Sequence, residues 1–175
     1  MNVILLGYMG SGKSSLGKAL AHQLEYDFKD LDEFIEKEEQ LTVPKIFETK
    51  GEIYFRKKET LYLQKLLVND TNSIISLGGG TPCFGSNMKL IIEKKHNISI
   101  YLEASIPELV NRLFHAKSGR PLIAHIGSKK ELEEFIAKHL FERSYYYNQS
   151  KLKIKTDQKN ILALVKEIKN LLQNS

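Results

Sequence analysis

The sequence predicts an α/β domain built on a parallel sheet, and two observations carry that expectation. A short continuous apolar run of strand length stands at residues 3–6, and similar, largely apolar runs recur at 73–77, 98–102 and 152–154. Stretches in which apolar residues repeat at helical spacing separate them, and strands that alternate with helices pair in parallel. Length agrees: 175 residues, 42% hydrophobic and 27% charged, with neither a composition break nor an internal repeat, suit one domain over 1–175.

The elements follow in order. The run at 3–6 ends at Gly7, as a strand buried on both faces would, and Leu16, Ala19, Leu20 and Leu24 then mark a helix. A short strand ends in Phe28-Lys-Asp30-Leu-Asp32, and a helix is expected over 33–41. Phe55, Tyr62 and Leu66 carry the next helix, which begins near Gly51, and the strand at 73–77 runs into Gly78-Gly79-Gly80. After the strand at 98–102 the periodicity lapses over 115–130, where Ser118-Gly119-Arg120-Pro121 and Gly127-Ser128 punctuate the chain. A loop of that length in a compact domain is usually a working part, and a lid over about 115–127 is expected. Leu132, Phe135, Ile136 and Leu140 resume a helix, the strand at 152–154 follows, and Ile161, Val165, Ile168 and Leu172 form the last helix.

Composition excludes several classes. No apolar run approaches the roughly 20 residues of a membrane-spanning helix, and no basic segment precedes the first run as in a secretory signal. The single cysteine, Cys83, allows no internal disulfide, so a reducing, cytoplasmic setting is expected and the sequons at Asn69, Asn97 and Asn148 are read as coincidental. A net charge of +5 would suit nucleic acid, an anionic surface or a small anionic ligand. The alternating Lys151, Lys153 and Lys155 read as the solvated face of a strand rather than a nucleic-acid patch. The five histidines show no ligand spacing and no metal is assigned to them, and Cys83 is read as a small packing residue.

Gly7-Tyr-Met-Gly10-Ser11-Gly12-Lys13-Ser14 fits Gly-x-x-x-x-Gly-Lys-Ser/Thr and lies between a buried strand and a helix, where a phosphate loop works. Backbone N–H groups freed by the glycines close around phosphate oxygens, and the helix N-terminus adds its dipole. Lys13 reaches the β- and γ-phosphates, while the Ser14 hydroxyl can ligate magnesium. Chance produces the string in about 0.6% of chains this long, before its strand-to-helix setting is required. Neither Asp-x-x-Gly nor Asn-Lys-x-Asp occurs, against a GTPase, and no apolar strand ends in Asp-Glu, against a mechanical ATPase. A kinase for a small acceptor remains.

In Asp30-Leu-Asp32 one carboxylate can hold Mg²⁺ through its water shell, and the other can accept a hydroxyl proton; Asp32 could instead cap the helix that follows. Three glycines after a buried strand cost backbone entropy, so something must approach that backbone closely. Arg56 and Arg143 each stand near an aromatic and could hold a carboxylate in bidentate fashion, or form surface ion pairs. Arg120 in the expected lid could close over a γ-phosphate.

These strings in this order closely resemble the shikimate kinases, over nearly the whole chain: the phosphate loop at 7–14, Asp-x-Asp, Gly-Glu-x-x-Phe-Arg, Leu-Gly-Gly-Gly, Arg-Pro-Leu and Arg-x-x-x-Tyr. The resemblance implies a nucleoside monophosphate kinase-like, three-layer α/β/α P-loop fold with a five-stranded parallel sheet in the order 2-3-1-4-5. It implies transfer of the γ-phosphate of ATP to the 3-hydroxyl of shikimate, on the route to chorismate and the aromatic amino acids. Lys13, Asp32 and Arg120 would be catalytic. ATP would meet Gly10, Ser11, Gly12, Lys13, Ser14, Ser15, Arg120 and Gln158, with Ser14 and Asp30 on Mg²⁺. Shikimate would meet Asp32, Arg56, Gly78, Gly79, Gly80 and Arg143, with an acceptor-binding region over about 32–60. The stretch before Arg-Pro-Leu is slightly longer than in the family, leaving the adenine contact open among Arg112, Gln158 and Lys159. ATP and shikimate are the expected partners of a cytoplasmic monomer that binds neither nucleic acid nor membrane. A gluconate-type or nucleotide kinase, or a regulatory P-loop module, are the alternatives.

Overall fold

The computed structural model describes residues 1–69, 72–94, 96–116 and 120–173. The strands are β1 (Asn2–Leu6), β2 (Asp27–Asp30), β3 (Ser73–Ser76), β4 (Asn97–Glu103) and β5 (Leu152–Lys155). The helices are α1 (Lys13–Leu24), α2 (Leu31–Glu39), α3 (Val43–Asn69), α4 (Asn87–Glu93), α5 (Ile106–Phe114), α6 (Pro121–Ala124), α7 (Lys129–Tyr147) and α8 (Ile161–Gln173). All five strands pair in parallel in the order β2-β3-β1-β4-β5, as expected.

Period-two alternation along β1 divides the core. Val3 and Leu5 point into a cluster with Leu16, Leu20, Val165 and Ile168 of α1 and α8. Ile4 and Leu6 face the other side, against Ile35 of α2, Leu63 and Leu66 of α3, Ile91 of α4 and Tyr147 of α7. Three layers result. All four β1 side chains from Val3 to Leu6 are fully buried, and burial of each contributes about 1.5–3 kcal/mol. The strand is thus held rigidly from both faces just where the phosphate loop leaves it. Its neighbours β3 and β4 lie on opposite sides, so the chain diverges above β1 and a crevice opens there.

Local chemistry moves some boundaries. Asp30, at φ −99° and ψ 127°, caps α2 by accepting the Asp32 N–H at 3.0 Å. The helix therefore starts at Leu31 rather than Glu33, and Asp32 sits in its first turn instead of at a strand end. Gly51 (φ 80°, ψ 169°) breaks α3 into two segments, a conformation that strains any side-chain-bearing residue, and the second segment carries Arg56. The carboxylate of Glu39, at the end of α2, accepts from Tyr54 and Tyr62 of that segment at 2.5 and 2.6 Å, which ties the two helices together.

Where an irregular loop is expected, residues 120–127 hold the one-turn helix α6, with Ile123 and Ile126 buried against Leu109, Leu113 and Ile136. Residues 117–119 of the expected lid, Gly119 among them, lie outside the described residues. Lys153 and Lys155 of β5 are exposed, consistent with a solvated face. Among the described residues, no helix is long and apolar enough to cross a membrane.

Candidate active site

Two cavities meet above β1. The larger, about 440 Å³, is lined by Gly12, Lys13, Ser14, Ser15, Asp30 and Arg112, among others. The smaller, about 340 Å³, is lined by Val43, Arg56, Gly80, Leu122 and Arg143. Met9, Asp32, Gly79 and Arg120 line both, so these four form the boundary between them.

The phosphate loop supplies the larger cavity. Lys13 opens α1, and its buried ammonium donates to the carbonyls of Gly7 and Tyr8 at 2.9 and 3.0 Å. Burial pushes this ammonium down to about 8, against the opposing pull of Asp30 and Asp32. A cation so placed gains from an anionic ligand. The Ser14 hydroxyl donates to Asp30 Oδ2 at 3.1 Å, bringing together the two oxygen donors expected on a metal. Arg112 is fastened to Glu108 at 2.7 Å and donates to the Gly10 carbonyl at 3.2 Å. Of the three adenine candidates it alone lines this cavity; Lys159 is paired with Glu167, and Gln158 lies in the turn after β5 at φ 57°. Ser11 is buried within the loop, outside the cavity lining.

The smaller cavity is built around two guanidinium groups. Arg56 projects from the second segment of α3 and is held by Glu59 at 2.8 Å and Glu52 at 3.4 Å. Glu59 is buried and also accepts from the Thr81 hydroxyl at 2.6 Å, while Thr81's carbonyl accepts from buried Asn87 at 2.9 Å. Arg143, from the last turns of α7, lies over the Tyr8 ring at 5.5 Å. Among the described residues no carboxylate pairs with it, so its charge is available. The glycines now have a physical reason. A Cβ on Gly80 would stand 3.1 Å from the Arg56 guanidinium, and one on Gly79 would stand 3.5 Å from that of Arg143. The Tyr147 hydroxyl pins this turn by donating to the Gly79 carbonyl at 2.5 Å.

Asp32 lies between the phosphate loop and the arginines. Burial, then the neighbouring carboxylates Asp30 and Glu59, push it up to about 6. Such a carboxylate is ionised at neutral pH and more basic than an ordinary one, which suits a proton acceptor. Cys83 is half buried beside the glycine turn, with its thiol pushed up to about 11 by burial, so it stays protonated and packs.

Glu59, Thr81 and Asn87 escaped the sequence reading, and Tyr147 entered it only as the last residue of Arg-x-x-x-Tyr, without a role. For Glu59 a signal exists, since it stands three residues after Arg56 on one helix face. The others act through contacts that no local spacing encodes.

Comparisons with known proteins identify the family. A family model described as shikimate kinase matches residues 9–173. A shikimate kinase of Flavobacterium johnsoniae is 48% identical over 97% of this chain and 98% of its own length. Among solved structures, the shikimate kinase of Bacteroides thetaiotaomicron superposes with a TM-score of 0.89 at 34% identity, covering 99% of this chain and 98% of that one. The Acinetobacter baumannii enzyme, solved in complex with shikimate, gives 0.86 at 30% identity, covering 99% and 93%. With both cavities, the phosphate loop and nearly the whole chain within these matches, the chain belongs to the shikimate kinase family.

Proposed function

We propose that this chain transfers the γ-phosphate of ATP to the 3-hydroxyl of shikimate, with the larger cavity as the donor site and the smaller as the acceptor site. The observation that carries the reading is the shared boundary: Asp32 and Arg120 face both cavities. Asp32 takes the hydroxyl proton as the phosphoryl group passes, and Lys13 and Arg120 balance its charge. Arg56 and Arg143 hold the shikimate carboxylate against Gly79 and Gly80. Ser14 and Asp30 would hold Mg²⁺, their hydroxyl and carboxylate being the hard oxygen donors this ion prefers. When bound, the ion neutralises phosphate charge. Every group named lies on one chain, which supports a monomer. A coupled assay of ATP against shikimate, gluconate and nucleoside monophosphates tests the reading: turnover with shikimate alone is expected, and turnover with either of the others and none with shikimate would overturn it.

The two arginines differ in what else they do. Arg143→Ala is expected to weaken shikimate binding about 10- to 100-fold with little change in ATP affinity or melting temperature, as loss of a charged hydrogen bond implies. Arg56→Ala should weaken it similarly and also destabilise the fold by about 3 kcal/mol, because Glu59 is left buried without its cation. Calorimetric titration and thermal melting of both variants check this; unchanged shikimate affinity in both would remove the clamp.

Asp32 also sets a pH dependence. Because its folded-state value is raised to about 6, kcat/KM should fall about tenfold per pH unit below that point as the base becomes protonated. A pH profile whose acid limb lies near 4 would assign the base elsewhere.

A further inference from the structure

Tyr8 stands at a position that the phosphate-loop string leaves unspecified, yet it faces two sites at once. Its carbonyl, in the loop, accepts from Lys13 Nζ at 3.0 Å and from the Ser11 N–H at 3.2 Å. Its side chain is buried in the opposite direction, 1% exposed, among Leu109, Leu113, Ile123 and Ile136. The hydroxyl lies 3.1 Å from His139 Nδ1, and Arg143 lies over the ring face at 5.5 Å. We propose that Tyr8 is a positioning residue that couples nucleotide binding to acceptor binding by carrying the state of the phosphate loop to Arg143. The proposal rests on the reading of Arg143 as a carboxylate clamp and adds to it the means by which that clamp is aimed.

The two arginines are held in different ways. Arg56 is fixed by Glu52 and Glu59 whatever the phosphate loop does. Arg143 has no described carboxylate partner, so its direction depends on the Tyr8 ring beneath it, with Tyr147 beside it. A guanidinium over an aromatic face is attracted to it and stacks in a plane that the ring dictates. The ring is itself fixed at both ends. Its hydroxyl stays protonated, pushed up to about 12 by burial against the pull of Arg143, and it shares a hydrogen bond with His139 Nδ1, an imidazole whose pKa burial and the same arginine lower. The backbone of Tyr8 is tied to Lys13. Phosphates that give Lys13 an anionic partner relieve the Tyr8 carbonyl of that ammonium, and the change passes along one residue to the ring under Arg143. Binding linkage then requires the reverse effect with the same factor.

Calorimetric titration of shikimate, with and without a saturating non-hydrolysable ATP analogue, measures the factor directly. The wild type should bind shikimate at least about fivefold more tightly with the analogue present. In Tyr8→Leu the ratio should fall to within about twofold of one, while Tyr8→Phe, which keeps the ring, retains most of it. Arg143→Lys provides a second test that leaves the buried Tyr8 site intact: the charge remains but the planar face is lost, and the ratio should fall as in Tyr8→Leu. A wild type in which the ligands bind independently overturns the proposal. So does a wild-type ratio in a folded Tyr8→Leu or, should that variant not fold, in Arg143→Lys. Arg143→Ala separates the two levels of the argument. If it binds shikimate as the wild type does, the clamp itself is wrong; if it binds weakly while Tyr8→Leu keeps the ratio, only the coupling role of Tyr8 falls.

Discussion

Asp32→Asn is expected to fold like the wild type and to lose turnover by about 10³-fold, the range for removal of a positioned base. The fold should survive because the residue that caps α2 is Asp30, whose carboxylate accepts the Asp32 backbone N–H at 3.0 Å and keeps that bond in the variant. Stability should even rise by on the order of 1 kcal/mol, for a stated reason. A carboxyl whose folded value is raised to about 6 is costly to ionise in the native state at neutral pH, and the amide removes that cost together with the repulsion from Asp30 and Glu59. Lys13→Ala should lose at least as much turnover, since it removes the buried cation of the phosphate loop. Circular dichroism, thermal melting and a coupled assay on both variants decide the matter. Phosphoryl transfer within tenfold of the wild type in either folded variant would show that its side chain is not part of the transition state.

What could be read in the sequence was what local chemistry determines. The phosphate loop needs glycines, a lysine and a hydroxyl in a fixed string, and β1 before it is a run of four apolar residues, so both were visible. Strand order was not visible in this sense; it came with the resemblance, because alternating elements fit several right-handed arrangements. Helix α5 shows the opposite failure, a signal present and not used. Ser105-Ile-Pro-Glu108 is a capping box with proline in the first turn, and in the structure the Glu108 N–H donates to the Ser105 hydroxyl at 3.4 Å. The two aspartates illustrate a third case. Spacing alone could not decide which of them caps the helix, and the answer depends on where β2 ends. The pairing of Arg56 with Glu59 follows from their i, i+3 spacing on α3, but what holds Glu59 was beyond reach, since Thr81 and Asn87 come from other parts of the chain and meet it only when α3 and α4 pack beside β3.

Arg120→Ala is expected to lower kcat by about 10²-fold, the cost of losing one electrostatic stabiliser of a transferring phosphoryl group, with shikimate KM changed by less than about threefold. The asymmetry follows from position. Arg120 lines both cavities, yet Arg56 and Arg143 are the residues proposed to hold the carboxylate, so its charge is expected to act on the migrating group rather than on the acceptor. Its resting partner supports this: Nη1 donates to the Ala116 carbonyl at 3.1 Å, a neutral acceptor that a phosphate oxygen can replace at little cost. The expected flap over 115–127 is constrained on its C-terminal side, where Ile123 and Ile126 are buried and the Gly127 N–H is held by Glu131 at 3.1 Å. Arg120 is therefore expected to reach the phosphates by a short movement about an anchored turn and not by the swing of a free loop. Hydrogen exchange separates these two motions. The amides of Ile123 and Ile126 donate to the carbonyls of Arg120 and Ile123 and should exchange slowly with or without ligands, while that of residue 120 should slow only when ATP and shikimate are both bound. Rapid exchange at Ile123 and Ile126 in the free protein would restore the free flap, and an Arg120→Ala variant that loses shikimate affinity while keeping kcat would move this arginine from the phosphoryl group to the clamp.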